Sequence, residues 1–207
     1  MNYISEVVKV HSLTDGQWIR DLDSGVGNLK IQRICGGESI LAAQWGHWVV
    51  RVWCSKEEMG QLHSFDARIH DDLENCRVQS VEATGNKVIL LLEGTDSKHP
   101  GSTYQLVVLQ EGEQDWETKI LETFTTPEWG KLAVDRDWLA VVGKDKFRPN
   151  ILKVKLWKKE LFRQDIELLG VPTNFVGDVV LESPFLIIGG RTRSLTGWIK
   201  VAEAQKV

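Results

Sequence analysis

Short apolar runs bounded by turn residues recur along the whole chain. Examples are "SILAAQW", "WVVRVW", "KVILLLEG", "WLAVVG" and "FLIIGG", which Gly, Pro, Asn and Asp separate from their neighbours. Runs of this length are typical of β-strands, and almost no segment has the 3.6-residue apolar period of a helix. Many short strands without intervening helices predict a sandwich, a barrel or a propeller.

A repeated tetrad favours the propeller among these three folds. The sequence "VKVH" at residues 8–11 aligns with "VRVW" at 50–53, "VKLW" at 154–157 and "IKVA" at 199–202, and a weaker copy lies at 103–110. Strand alternation places the two apolar residues on one face and the cation on the other. The copies recur with a period of roughly 40 to 55 residues, which is the range of four-stranded propeller blades.

The same period divides the chain into blades. We predict an all-β propeller with about four blades, in which tight turns such as Gly36-Gly37, Gly85-Asn86 and Ser183-Pro184 join the first and second strands. The single domain, residues 1–207, comprises a partial blade at 1–24, full blades at 30–66, 77–125 and 130–170, and a partial blade at 177–207. The partial units indicate either a fragment of a larger ring, which we favour, or a small ring closed by the two terminal pieces.

The first hairpin has two interpretations. Residues 8–22, "VKVHSLTDGQWIRDL", match the third and fourth strands of a unit, with Thr14-Asp15-Gly16 as the turn. The alternative is the Asp-box of sialidase-like enzymes, but its Asp and Trp would each be shifted by one position, and the motif does not recur. We therefore predict a structural repeat at this position.

The stretch "VRVWCSKEEMGQLHSF", residues 50–65, resembles the end of a WD40 repeat, where a strand ending in Trp precedes a turn and a final strand. The Asp that usually follows the Trp is replaced by Cys54 and Lys158, and the usual Gly-His pair is missing. The resemblance implies a divergent WD40-like propeller that presents its loop rim to a protein or peptide. More specifically, it implies a substrate-recognition module of an F-box/WD-type ubiquitin ligase, although the sequence contains no F-box.

Composition agrees with an ordinary globular domain. The 207 residues are 42% apolar and 26% charged, with a net charge of −4, which gives no reason to expect nucleic acid or an anionic membrane as partner. The three cysteines have no CxxC spacing, which argues against disulfides and a zinc site. Because the sequence has no signal-peptide pattern, we expect a cytoplasmic or nuclear protein. We also expect no cofactor and no metal.

The nine tryptophans are the most unusual feature of the composition. We predict that most of them pack between blades, because a buried aromatic removes roughly 150 to 250 Å² from water. Those assigned to blade packing are Trp45, Trp48, Trp53, Trp138, Trp157 and Trp198. Trp116 and Trp129 lie in turn-like stretches and are candidates for contact with a partner.

No motif for catalysis is evident. The sequence has no nucleophile motif, P-loop or dinucleotide fingerprint, and we interpret "HDDLENC" at residues 70–76 as a solvated acidic linker. We expect a protein that is not an enzyme. The alternative is a propeller glycosidase or hydrolase with carboxylates in the central channel, for which Glu82, Asp135 and Glu182 are the candidates.

The loops between second and third strands carry the predicted binding site. These loops, at Gly46-His47 and residues 95–102, 144–150 and 191–196, should emerge on one rim. The candidate partner-binding residues are Lys144, Lys146, Phe147, Arg148, Arg191, Arg193 and Trp129. Because Arg clusters suit acidic or phosphorylated motifs, we expect such a partner, within a multiprotein complex.

Overall fold

The computed structural model describes most of the chain. The described residues are 7–11, 16–23, 25, 29–54, 60–97, 99–113, 115–125, 128–145, 147–148, 150–169, 176–183, 185–190 and 196–200. Within these ranges the chain forms antiparallel strands and one 3₁₀ turn, Ala67–Ile69. The predicted all-β class is therefore confirmed.

No helix within the described ranges has the length and apolar character needed to cross a lipid bilayer.

The strands form five antiparallel sheets, each a meander in which sequence neighbours pair. We call the sheets blades 1 to 5. Blade 1 has β1 (Val8–His11) and β2 (Trp18–Leu22); blade 2 has β3 (Ile31–Gly36), β4 (Ile40–Trp45), β5 (Val49–Cys54) and β6 (Gln61–Asp66). Blade 3 has β7 (Glu74–Thr84), β8 (Lys87–Asp96), β9 (His99–Glu111) and β10 (Trp116–Phe124). Blade 4 has β11 (Glu128–Val134), β12 (Trp138–Lys144), β13 (Ile151–Lys158) and β14 (Leu161–Leu169), and blade 5 has β15 (Val176–Glu182), β16 (Phe185–Gly190) and β17 (Thr196–Lys200).

Alternate residues of one strand pack against different neighbouring blades. On β8, Leu90 belongs to the apolar cluster shared with blade 2, whereas Leu91 belongs to the cluster shared with blade 4. Both are fully buried, which explains the uninterrupted apolar run "VILLL". Four such clusters lie between the five successive blades. Each leucine buried in this way contributes about 1.5 to 3 kcal/mol.

Blades 2 to 5 are arranged radially around their first strands. β3 contacts β7, β7 contacts β11, and β11 contacts β15, so that the first strands of consecutive blades approach one another. Sheets that converge on their first strands and pack face to face are the blades of a β-propeller. The predicted propeller is confirmed.

The repeated tetrad has a structural counterpart. The pairing register between third and fourth strands shifts at the same tetrad position in three blades, at Val10/His11, Val52/Trp53 and Leu156/Trp157. The hairpin predicted for residues 8–22 is present, with Val8 opposite Leu22 and Gly16 at a φ of +71°. Thr14 and Asp15 lie outside the described residues, as do residues 201 and 202 of the last tetrad.

Four tryptophans pack between blades as predicted. Trp45, Trp53, Trp138 and Trp157 are buried, and the rings of Trp45 and Trp53 meet edge to face at 5.5 Å. The side chain of Trp198 lies outside the described part of the structure.

Three other tryptophan predictions were wrong. Trp48 lies in the turn between β4 and β5 and is 37% exposed, because a turn residue at the end of a blade has no neighbouring sheet to cover it. Trp116 and Trp129 were predicted in turns but lie in β10 and β11. The turn ends at Asp115, so that Trp116 already pairs with Glu111 and stacks on the His63 ring at 5.6 Å.

The loop predicted at residues 95–102 was also wrong. There β8 and β9 continue their pairing, with Thr95 opposite Ser102 and Asp96 opposite His99. The register jumps between these pairs and leaves Pro100 and Gly101 as a bulge, with Gly101 at a φ of +107°. Residues in a bulge are not paired with the neighbouring strand, so the N–H that proline lacks is not needed there. These turn-forming residues therefore do not end the strand.

Candidate functional site

The meander topology separates the connections into two groups at opposite ends of the blades. Turns between first and second strands and between third and fourth strands lie at one end, which we call the hairpin rim. Turns between second and third strands and the connections between blades lie at the other end, which we call the loop rim. Of the predicted binding residues that the structure describes, Lys144, Phe147 and Arg148 lie at the loop rim. The backbone of Trp129 lies at the same end of β11, because its neighbour Glu128 pairs with Lys144.

The structure brings together three of the seven predicted binding residues. Lys144 ends β12, and Phe147 and Arg148 follow it in the loop to β13. Phe147 is 81% exposed, the highest value among the described large apolar side chains. Lys146, Arg191 and Arg193 lie outside the described residues, as does the side chain of Trp129. The binding role of all seven stays a prediction.

Asp145, which the sequence analysis missed, holds this loop in place. Its side chain is buried, and Oδ1 accepts hydrogen bonds from the backbone N–H groups of Phe147 and Arg148, both at 2.8 Å. The Lys153 ammonium lies 2.9 Å from Oδ2. The backbone also closes on itself, because Asp145 N–H donates to the Ile151 carbonyl at 2.9 Å and Ile151 N–H donates to that of Arg148 at 2.9 Å. An Asp that begins a turn was the available signal.

Asp145 is ionised at neutral pH. Burial alone would raise the pKa of this carboxyl, but hydrogen bonds from Lys153 and from the backbone of Phe147 and Arg148 outweigh it, and the pKa falls to about 2. A carboxylate that accepts several hydrogen bonds favours its charged form in this way. The loop therefore keeps its anchor down to strongly acidic pH.

The described cations of the predicted patch are paired within blade 4. The Arg148 guanidinium forms an ion pair with Glu167 and lies 3.3 Å from Asp145, and the Lys144 ammonium lies 3.5 Å from Glu128. Together with Lys153, three cations face three carboxylates. The described part of the patch is therefore electrically balanced, and an excess of positive charge depends on the predicted residues that lie outside the described ranges.

The channel carboxylates of the alternative enzyme hypothesis have separate surroundings. Glu82 on β7 forms an ion pair with Arg33 of blade 2, and Asp135 accepts a hydrogen bond from the Ser183 N–H of blade 5 at 2.9 Å. Glu182 is exposed at the end of β15. Each of the first two is engaged across a blade junction. Among the described residues, no group of three or more His, Cys, Asp or Glu side chains is arranged to hold a metal ion.

A cleft of about 540 Å³ opens on the hairpin rim between blades 3 and 4. Of the three channel candidates only Asp135 lines it, beside Lys87, Trp138 and Glu160. Glu160 bridges the two blades, because it forms ion pairs with Lys87 and with Lys119, the latter at 2.9 Å. Lys87 and Glu160 in the cleft lining therefore already have partners.

Two of the three thiols are unreactive by environment. Burial raises the pKa of Cys35 to about 12, although the nearby Arg33 cation lowers it, and burial raises the pKa of Cys76 to about 11. Thiolates are the reactive form, so these thiols have almost no nucleophilic character at neutral pH.

Comparisons with known proteins give no family. No family model matches the chain, and no curated protein matches it. Among solved structures, the chain is similar to Prp20p from Saccharomyces cerevisiae, described together with its binding to Gsp1p and histones. The identity is 10% and the TM-score 0.41, over 85% of this chain and 47% of Prp20p. The chain thus spans about half the length of that structure.

Proposed function

We propose that this chain is a non-enzymatic interaction domain that binds a protein or peptide partner on its loop rim. The observation that carries the proposal is the exposed Phe147 on a loop whose backbone is fixed by the buried Asp145. Aromatic side chains are frequent interface anchors. Because the backbone N–H groups of Phe147 and Arg148 are already held by Asp145, placing Phe147 against a partner costs little conformational entropy.

The charge of the partner is a finer part of the proposal. An acidic or phosphorylated segment would contact Arg148, whose side chain is half exposed but already paired with Glu167. Such a segment would have to replace Glu167 as the partner of the guanidinium, or be held by Arg191 and Arg193. A phosphate monoester suits this exchange, because at neutral pH it carries about −1.5 to −2 charges against the single charge of the Glu167 carboxylate.

The most specific form of the proposal is a substrate receptor within an F-box/WD-type ubiquitin ligase complex. It is supported by the resemblance of residues 50–65 to a WD40 repeat. It requires that a protein bound through Phe147 carries ubiquitin in cells and persists longer when the receptor is depleted.

A retention experiment tests the binding proposal. The immobilised wild-type chain is compared with Phe147→Ser and with Leu161→Ser, a control that removes a 61% exposed side chain at the opposite end of the same blade. We expect a partner retained by wild type and the control and reduced about tenfold or more with Phe147→Ser. Retention of the same proteins at equal yield by all three chains would refute the role of Phe147.

A further inference from the structure

A second exposed apolar area lies on the loop rim, at the junction of blades 2 and 3. Ile69, in the 3₁₀ turn that follows β6, is 78% exposed, and Trp48 in the β4–β5 turn is 37% exposed. The two turns touch, because Ala67 N–H donates to the Trp48 carbonyl at 2.8 Å. We call the area formed by Trp48, Ile69, Asp71, Asp72 and Glu74 the junction surface.

Three hydrogen bonds hold the backbone beneath the junction surface. Val78 N–H on β7 donates to the His47 carbonyl at 2.6 Å. The buried side-chain amide of Gln44 donates to the carbonyls of Gly46 and Val78, both at 3.0 Å. The backbone of the turn that carries Trp48 is therefore tied to blade 3.

The carboxylates of the junction surface have no strong counter-charge. Asp71, Asp72 and Glu74 are exposed, and in the described part of the chain no lysine or arginine forms an ion pair with any of them. The imidazole Nε2 of His70 lies 3.8 Å from the Asp72 carboxylate and 2.8 Å from Oε1 of Gln105.

The nearby arginines are already engaged. Arg68 pairs with Asp66 at 2.5 Å and Arg77 pairs with Glu93 at 2.8 Å. The apolar side chains of the junction surface are thus bordered by three acidic groups whose charge remains available to a ligand.

We propose that the junction surface binds a segment of a partner protein that carries aliphatic and basic side chains in alternation. Its aliphatic groups would cover Ile69 and Trp48, and its lysines or arginines would face Asp71, Asp72 and Glu74. The inference goes beyond the proposed function, because it adds a contact area that does not include Phe147 and assigns it a basic partner rather than an acidic one. Complementary charges of this kind mainly speed association and select the partner.

Fluorescence anisotropy with a defined peptide tests the inference. The probe is a labelled seven-residue peptide of alternating Lys and Leu, compared with one that has Glu for Lys and one that has Gly for Leu. The test variant is D71N/D72N/E74Q. The matched control E111Q/E113Q/E117Q removes the same number of charges from exposed positions around the β9–β10 turn on the hairpin rim.

We expect the Lys/Leu peptide to bind wild type, the control and Phe147→Ser alike. D71N/D72N/E74Q should weaken binding about tenfold, since three exposed charge pairs are lost. Ile69→Ser should weaken it about fivefold. Because all these positions are exposed, circular dichroism should show each variant folded as wild type.

Any one of four outcomes would overturn the inference. If both triple variants weakened peptide binding equally, the peptide would be attracted only by the net charge of the chain. Unchanged binding by Ile69→Ser, or equal binding of the Gly-containing peptide, would remove the apolar contact. If the Lys/Leu peptide did not bind the wild-type chain, the junction surface would not be a binding site for such a segment. Since Phe147→Ser is predicted to retain the peptide, failure here is distinguishable from failure of the proposed function.

Discussion

The Phe147 loop of blade 4 and the junction surface of blades 2 and 3 are built alike, but their charged side chains are paired differently. In both, an exposed apolar side chain stands on a turn fixed by a buried polar residue, Asp145 in one and Gln44 in the other. The loop uses its charges internally, because its cations face carboxylates of the same blade. The junction surface leaves three carboxylates without a lysine or arginine partner among the described residues. The charge available to a partner at the loop rim therefore depends on which side chains already form ion pairs within the chain. A count of basic residues in the sequence does not predict this charge.

The largest effect should come from removing the anchor of the loop. Asp145→Ala leaves two backbone N–H groups without their acceptor and removes the nearer carboxylate of the Lys153 ammonium, so that Glu167 at 3.8 Å remains. We expect a loss of about 2 to 4 kcal/mol in the free energy of unfolding. Urea denaturation measures it, and Asp71→Asn, at an exposed position, is the control expected to change stability by less than about 0.5 kcal/mol. An Asp145→Ala protein as stable as the control would contradict the anchoring role.

A smaller effect should follow from removing the amide that fixes the junction surface. Gln44→Ala leaves the carbonyls of Gly46 and Val78 without this donor, and we expect about 1 to 2 kcal/mol of lost stability. Hydrogen exchange should also become faster at Val78, whose N–H donates to His47. Exchange at Ile151 in the Phe147 loop should not change, and an equal increase at both would mean that the two regions are not independent.

The response to acid should distinguish the two regions as well. The pKa of Asp145 is lower in the folded chain than the usual 3.8, so its contribution to stability is complete above about pH 4 and is lost as the pH falls towards 2. Wild type should therefore lose more stability than Asp145→Asn between pH 4 and pH 2, in thermal unfolding at constant ionic strength. Parallel pH curves for the two proteins would show that Asp145 has no depressed pKa.

The smallest effects on stability should come from the exposed apolar residues themselves. Phe147→Ser and Ile69→Ser remove side chains that are 81% and 78% exposed, and each should change the free energy of unfolding by less than about 0.5 kcal/mol. Their effects should appear in binding alone. A loss above 1 kcal/mol in either variant would indicate that the side chain supports the fold rather than a partner.

The fold was accessible from the sequence because two periods agree. Alternation within strands such as β8 assigns Leu90 and Leu91 to opposite faces, and the longer repeat places the tetrads of blades 1, 2 and 4 at equivalent positions. Both patterns arise because buried positions carry apolar residues, and the spacing of apolar residues can be read from the sequence.

The site was less accessible, because its properties depend on pairs of distant residues. Asp145 forms its ion pair with Lys153 across a turn, and Arg148 loses its free charge to Glu167 on another strand. Neither pairing has a local signal. The segment 70–76 was interpreted as a solvated linker, whereas β7 begins at Glu74 and Cys76 is buried in the core between blades 2 and 3. The exposed acids before Cys76 concealed the start of the strand.

Site-specific photo-crosslinking shows directly whether the loop rim is the binding face. A photoreactive phenylalanine analogue is placed at position 147 on the loop rim or at position 161 on the hairpin rim, at opposite ends of β13. Because both side chains are exposed, neither substitution should disturb the core. We expect a crosslinked protein partner from position 147 and none from position 161. Crosslinks from position 161 alone, or the same partner from both positions at equal yield, would contradict this expectation.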